Sequence, residues 1–154
     1  MRTVILARMA PLEPRDPDFE QRVRSSFAQQ GLMETFRSEL ATVDPGVVEI
    51  RVPFSSGLTQ QDGFLHAGVV IAAADSACGY AALTLMEPQR RVLTVELKVN
   101  LLAPASGDRL IARGEVLRPG RTLTVCRGDA YVVVGEETKH VATLLTTMVG
   151  VPAE

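Results

Sequence analysis

Across residues 68–86 nearly every side chain is small or apolar, and Asp75 is the only acidic residue, so the run has no polar stripe. A helix with this composition is buried on most of its circumference rather than along one face. Downstream, Leu93, Val95, Leu97, Val99 and Leu101 alternate with Thr94, Glu96, Lys98 and Asn100, and unbroken period two predicts a strand. Further strands are expected at 109–117, 122–134 and 138–149, separated by Pro119-Gly120 and Gly135-Glu136, both suited to hairpin turns. Upstream, Phe19, Val23 and Phe27 recur four apart after Asp16-Pro17, which reads as the N-cap and first residue of a peripheral amphipathic helix. Gly31 is expected to end or break that helix, and 36–43 fits either helix or strand. Asp44-Pro45-Gly46 is a turn, and 47–52 suits a strand closed by Pro53 and the polar loop 55–63.

This order of elements predicts an α+β fold. A helix that is apolar all round needs cover on several sides, and only the strands can supply it, so an antiparallel sheet must curve around a central helix at about 67–86. One curved sheet leaves a flank or an edge strand uncovered, which makes a homodimer the minimum assembly, with a tetramer also open. Residues 1–15, with Pro11 and Pro14 and no sustained period, read as a flexible lead-in to a single domain at 16–154.

Composition narrows the function classes. The chain has 154 residues, 46% hydrophobic and 22% charged, enough for one domain with a real core. A net charge of −2 and a pI near 5.7 provide no basic field for nucleic acid. Cys78 and Cys126 sit in apolar runs and suit buried, reduced thiols of a cytoplasmic protein; neither belongs to a metal-ligand cluster. The N-terminus lacks a secretory apolar core, and Asp75, Ser76, Gly79 and Thr84 interrupt the one run that approaches membrane-span length.

The candidate chemistry lies at the start of the central helix. An isolated buried carboxylate is costly unless it has a partner or a task, which singles out Asp75. Before it stands Gln60-Gln61-Asp62-Gly63-Phe64-Leu65-His66-Ala67-Gly68, a glycine-bearing loop leading into the helix. Gln60, Gly63, His66-Ala67-Gly68 and Asp75 nine positions after the histidine, with the strand 92–101 followed by Pro104-Ala105 and the hairpin Gly120-Arg121-Thr122-Leu123, carry a resemblance. Over residues 31–150 the chain resembles the hotdog-fold acyl-CoA thioesterases, of the phenylacetate-pathway type within the 4-hydroxybenzoyl-CoA thioesterase superfamily. It departs from that pattern in having Gln60, or Gln61 in another register, for an asparagine, and Ala67 for the first glycine of His-Gly-Gly.

The resemblance implies thioester hydrolysis without a cofactor, coenzyme A being part of the substrate. It implies that the N–H of Ala67, or of Gly68, faces the oxyanion, and that Asp75 acts as general base or as nucleophile. Thr94 would place water, Gln60 or Gln61 would bind the thioester oxygen or orient water, and His66 would hold the loop. It further implies that the loop of one subunit meets Asp75 and Thr94 of the other. Basic residues should receive the phosphates, with Arg90, Arg91, Arg118 and Arg121 as candidates. A non-catalytic acyl-CoA-binding or sensing protein is the competing reading. A hydratase is a third, which neither His66 nor His140 fits.

Overall fold

The computed structural model describes residues 11–153. Helices α1 (Phe19–Phe27) and α2 (Gly31–Thr35) precede strands β1 (Glu39–Asp44) and β2 (Val47–Pro53). A short 3-10 turn at Ser56–Leu58 leads to the long helix α3 (Ala67–Leu83), followed by β3 (Arg90–Leu101), β4 (Arg109–Arg118), β5 (Leu123–Val134) and β6 (Glu137–Pro152). All six strands form one sheet in the order β1-β2-β4-β5-β6-β3, with every neighbouring pair antiparallel. This is the hotdog fold, a sheet curved around a helix.

Helix α3 is buried on nearly every side, with Ala73, Ala74, Ala77, Cys78, Ala81 and Ala82 fully inaccessible. The sheet reaches it closely because it carries glycines where the two meet. Gly114 on β4 pairs with Gly128 on β5, and a Cβ at Gly114 would lie 2.3 Å from the Ala77 carbonyl carbon. Small residues on both surfaces let backbone approach backbone, as the thin helix required.

Three expectations are corrected at the level of local structure. The central helix ends at Leu83, three residues before 86, because Thr84 folds its hydroxyl back onto the Ala81 carbonyl and accepts Gly46 N–H at 2.7 Å. The guanidinium of Arg22 then takes the carbonyls of Leu83, at 2.9 Å, and Met86, at 2.8 Å, which cap the helix with positive charge. Asp16 is not the cap of α1: its carboxylate is buried, accepts Asp18 N–H and pairs with Arg22 at 3.0 Å, so α1 starts at Phe19. Gly31 opens α2 rather than closing α1, and the ambiguous stretch resolves into the end of α2 and strand β1. Residues 1–10 of the lead-in lie outside the described residues, and within 11–15 Leu12 packs against the core.

The strand at 90–101 holds a larger correction. It does not pair with the strand that follows it in the chain but crosses over to the far edge beside β6. Its register with β6 slips between Thr94 and Glu96, a bulge at Val95. Thr94 pairs with buried Met148, Leu97 with buried Thr146 and Val99 with buried Leu144, so these three face the helix side. Leu93 instead pairs with Val149 on the other face, which Glu96 and Lys98 share. One extra residue thus turns an alternating sequence over in mid-strand. The edge leaves Leu93 55%, Val95 58% and Leu101 53% exposed.

Candidate active site

The loop and the head of α3 are built around His66. Its backbone is extended (φ −60°, ψ 140°), and as N-cap its Nδ1 accepts the N–H of Gly68 at 2.9 Å. Nδ1 is therefore unprotonated, and the ring locks the second N–H of the helix. A Cβ at Gly68 would lie 3.0 Å from that nitrogen, which accounts for glycine there. Ala67 is helical, and it is absent from the positive-φ residues, so alanine in place of the family's glycine brings no strain. Among the described residues no hydrogen bond consumes its N–H, which stands at the positive end of α3.

Gln60 turns inward on its own loop: its amide donates to Asp62 at 3.2 Å, its oxygen accepts Asp62 N–H, and its backbone bonds Phe64 and Gly63. Gln61 donates to the same carboxylate at 3.4 Å. Gly63 has φ +84°, a conformation other residues adopt only with strain, and so makes the turn possible. Leu65 N–H to the Ala105 carbonyl, at 2.8 Å, fastens the loop to the body.

Just over two turns along α3, Asp75 is half-buried and meets Thr94, whose hydroxyl lies 2.9 Å and 3.1 Å from the two carboxylate oxygens. Burial pushes the Asp75 carboxyl above the ordinary carboxylate range, and the Thr94 hydrogen bond pulls it partly back. A carboxylate placed this way is a better base than one in water. Met148 Sδ sits 3.4 Å from the same hydroxyl. A groove of ≈ 630 Å³ opens beside Asp75, floored by Gly79 one turn further on and walled by Tyr80, Leu83, Val92 and Met148.

Of the residues singled out in the sequence, Asp75, Thr94, Arg90 and Arg91 line this groove. Arg118 and Arg121 line a second cavity of ≈ 480 Å³, which Arg90 also reaches, so the arginine joins the two. Gln60, Gln61, Gly63, His66, Ala67 and Gly68 line neither. Eight residues separate Ala67 from Asp75 on one helix, about 12 Å along its axis, so within one chain a single thioester cannot touch both. Sequence reasoning missed the contribution of α1, whose Arg22 and Ser26, with Gln30 after it, form one wall of the groove. Only the apolar positions of that helix carry a period; its polar side chains gave no signal beyond solvation. Cys78 and Cys126 are buried, burial pushes both thiols up, Cys126 to about 12, and neither can serve as a thiolate nucleophile.

Comparison with known proteins bears on the fold and the family. Residues 62–139, from the loop to the start of β6, match the thioesterase superfamily. A thioesterase family protein from Silicibacter pomeroyi is similar in structure, with a TM-score of 0.86 and 49% identity over 88% of this chain and 99% of that one. A 1,4-dihydroxy-2-naphthoyl-CoA hydrolase of Listeria monocytogenes is 28% identical over 62% of this chain and 77% of its own. The medium/long-chain acyl-CoA thioesterase YigI of Escherichia coli is 31% identical over 56% of this chain and 63% of its own. The curated relatives named as esterases, hydrolases or thioesterases are matched over 61% to 77% of their own length. With the fold, the loop and the matched residues in agreement, the chain belongs to the thioesterase superfamily of hotdog-fold hydrolases.

Proposed function

We propose that this protein hydrolyses the thioester of an acyl- or arylacyl-CoA at a site shared by two copies of the chain. The single observation that carries the reading is the Asp75–Thr94 pair at the head of an open groove, its carboxyl held above the ordinary range. The thioester oxygen receives Ala67 N–H from the partner copy, where the dipole of α3 favours the negative charge that develops. Asp75 takes a proton from water as that water attacks the carbonyl, or attacks it directly to give a mixed anhydride that water then opens; the thiolate of coenzyme A leaves in either route. Thr94 donates to the carboxylate and so fixes its direction. With Gly68 N–H tied to His66, Ala67 is the donor of choice, and His66 serves the loop rather than the reaction. Gln60, or Gln61, would have to leave Asp62 to reach the thioester oxygen or water.

Sharing between two copies is supported by the roughly 12 Å that separate Ala67 from Asp75 within one chain, more than the reacting centre of a thioester spans. The apolar edge at β3, with Leu97 and Leu101 on the helix side, is the surface a second copy would cover. Arg90, Arg91, Arg118 and Arg121 would hold the phosphates, and the reaction needs no cofactor beyond the coenzyme A of the substrate. The activities for which the Listeria and Escherichia relatives are named support a CoA thioester as substrate class. The phenylacetate-pathway subtype rests on the loop and hairpin motifs alone. Buried thiols suit a cytoplasmic setting, and among the described residues no helix is long and apolar enough to cross a membrane.

The test is thiol release from a panel of short, medium, long and arylacetyl CoA thioesters by the native protein and by Asp75→Ala. Turnover that is lost in the variant while fold and assembly persist is the expected result. Binding of acyl-CoA with no turnover would point to a sensing or carrier protein instead, and turnover untouched by the substitution would remove Asp75 from the mechanism.

A further inference from the structure

The groove beside Asp75 is lined by apolar side chains, Leu83, Val92 and Met148 among them, and by polar ones, including Ser26, Gln30 and Tyr80, besides its arginines. Gln30 Nε2 donates to Ser76 Oγ at 3.3 Å, and the Tyr80 hydroxyl donates to Gln30 Oε1 at 3.4 Å. Phe27 meets the Tyr80 ring edge-on at 5.8 Å and holds it in place. A primary amide has two N–H donors and two acceptor lone pairs, so these two long bonds leave Gln30 with one of each to spare. Water can serve them while the groove is open. Once an acyl group fills it, they must find a partner on the substrate or go unmet.

We propose that Gln30 and Tyr80 are specificity-determining residues that select acyl groups carrying a hydrogen-bonding substituent at the far end over plain alkyl groups of the same size. Tyr80 follows Asp75 by five residues, about 7.5 Å along the helix axis, so the substituent belongs on a compact acyl group rather than at the end of a long chain. Gln30 and helix α1 lie before residues 62–139, the part that matches the thioesterase superfamily, whereas Tyr80 lies within it. The inference takes from the proposed function only that this groove receives the acyl group.

Two probes of equal size test it: 6-hydroxyhexanoyl-CoA and heptanoyl-CoA, which differ by a terminal hydroxyl in place of a methyl. Hydrolysis gives kcat/KM, and the corresponding thioether analogues, which cannot be cleaved, give Kd by calorimetry. The native protein should favour the hydroxyl-ended probe by about tenfold in both, the effect of one or two half-exposed hydrogen bonds. Gln30→Leu and Tyr80→Phe should each narrow or reverse that ratio, each variant first confirmed as folded by its melting curve. A native preference for heptanoyl, or a ratio that neither variant moves, overturns the proposal. Thioether analogues that bind with the hydroxyl preference while no thioester is hydrolysed would sink the thioesterase reading and leave this one standing; binding without preference sinks this one alone.

Discussion

Replacing Ala67 by proline deletes one backbone N–H and little else. Ala67 is the first residue of α3, the helical position proline tolerates best, since its N–H has no intrahelical acceptor and its φ already suits the ring. A proline also restricts the residue before it to extended backbone, and His66 is already there at ψ 140°. No hydrogen bond among the described residues uses the Ala67 N–H, so stability should stay within about 1 kcal/mol of the parent. The catalytic cost is of another size. Loss of one oxyanion donor lowers kcat by about 10²–10³-fold, roughly 2.7–4 kcal/mol of transition-state stabilisation. The assay is thiol release under saturating substrate, read beside a thermal melt and a Kd for a thioether analogue, which lacks the oxyanion and should bind nearly as before. A folded Ala67→Pro protein with kcat within about threefold of the parent would refute the assignment, because an intact catalyst without that donor cannot depend on it.

Other outcomes follow from the same geometry. Burial raises the Asp75 pKa and the Thr94 bond lowers it, so the acid limb of the pH–rate profile should lie above the ordinary carboxylate range and move further up in Thr94→Val; a limb that stays put removes the coupling. A carboxyl whose folded pKa is raised costs stability once it ionises, so Asp75→Asn should melt higher at neutral pH, with the gain fading as pH falls toward the ordinary carboxylate range. Gly114→Ala should lose about 3 kcal/mol, roughly 6–12 °C in Tm, because its Cβ would press on the backbone of Ala77. Gly31→Ala, with nothing within 4 Å and no positive φ, should instead gain about 0.5–1 kcal/mol; equal melting of the two would refute the close-approach argument. Leu97→Asp on the helix side of β3 should give a folded monomer by sedimentation with no turnover, and a fully active monomer would end the shared-site reading.

Much of the site was legible in the sequence because its parts are local. The glycine loop, the His66 cap and the carboxylate within an apolar helix lie within sixteen residues, 60–75, and each follows from backbone rules or from the cost of burying charge. What was not legible depends on which surfaces meet. Gln30 and Arg22 read as solvated positions of a peripheral helix, yet they wall the groove and cap α3, since α1 docks against the end of that helix. Gln60 looked ready for substrate and spends its amide on Asp62.

The wrapped helix, the strands and their approximate limits are written in the chain, because an all-round apolar helix over residues 67–83 admits no environment but an enclosing sheet. The crossing of β3 to the sheet edge and the bulge at Val95 come from the assembled sheet. Period two in the sequence runs through that bulge unchanged, since a bulge is a property of pairing with β6 and not of the strand alone. Yet it is the bulge that lets Thr94 face Asp75 while Leu97, Val99 and Leu101 face the same side, and the Asp75–Thr94 pairing therefore depends on a partner strand more than forty residues away.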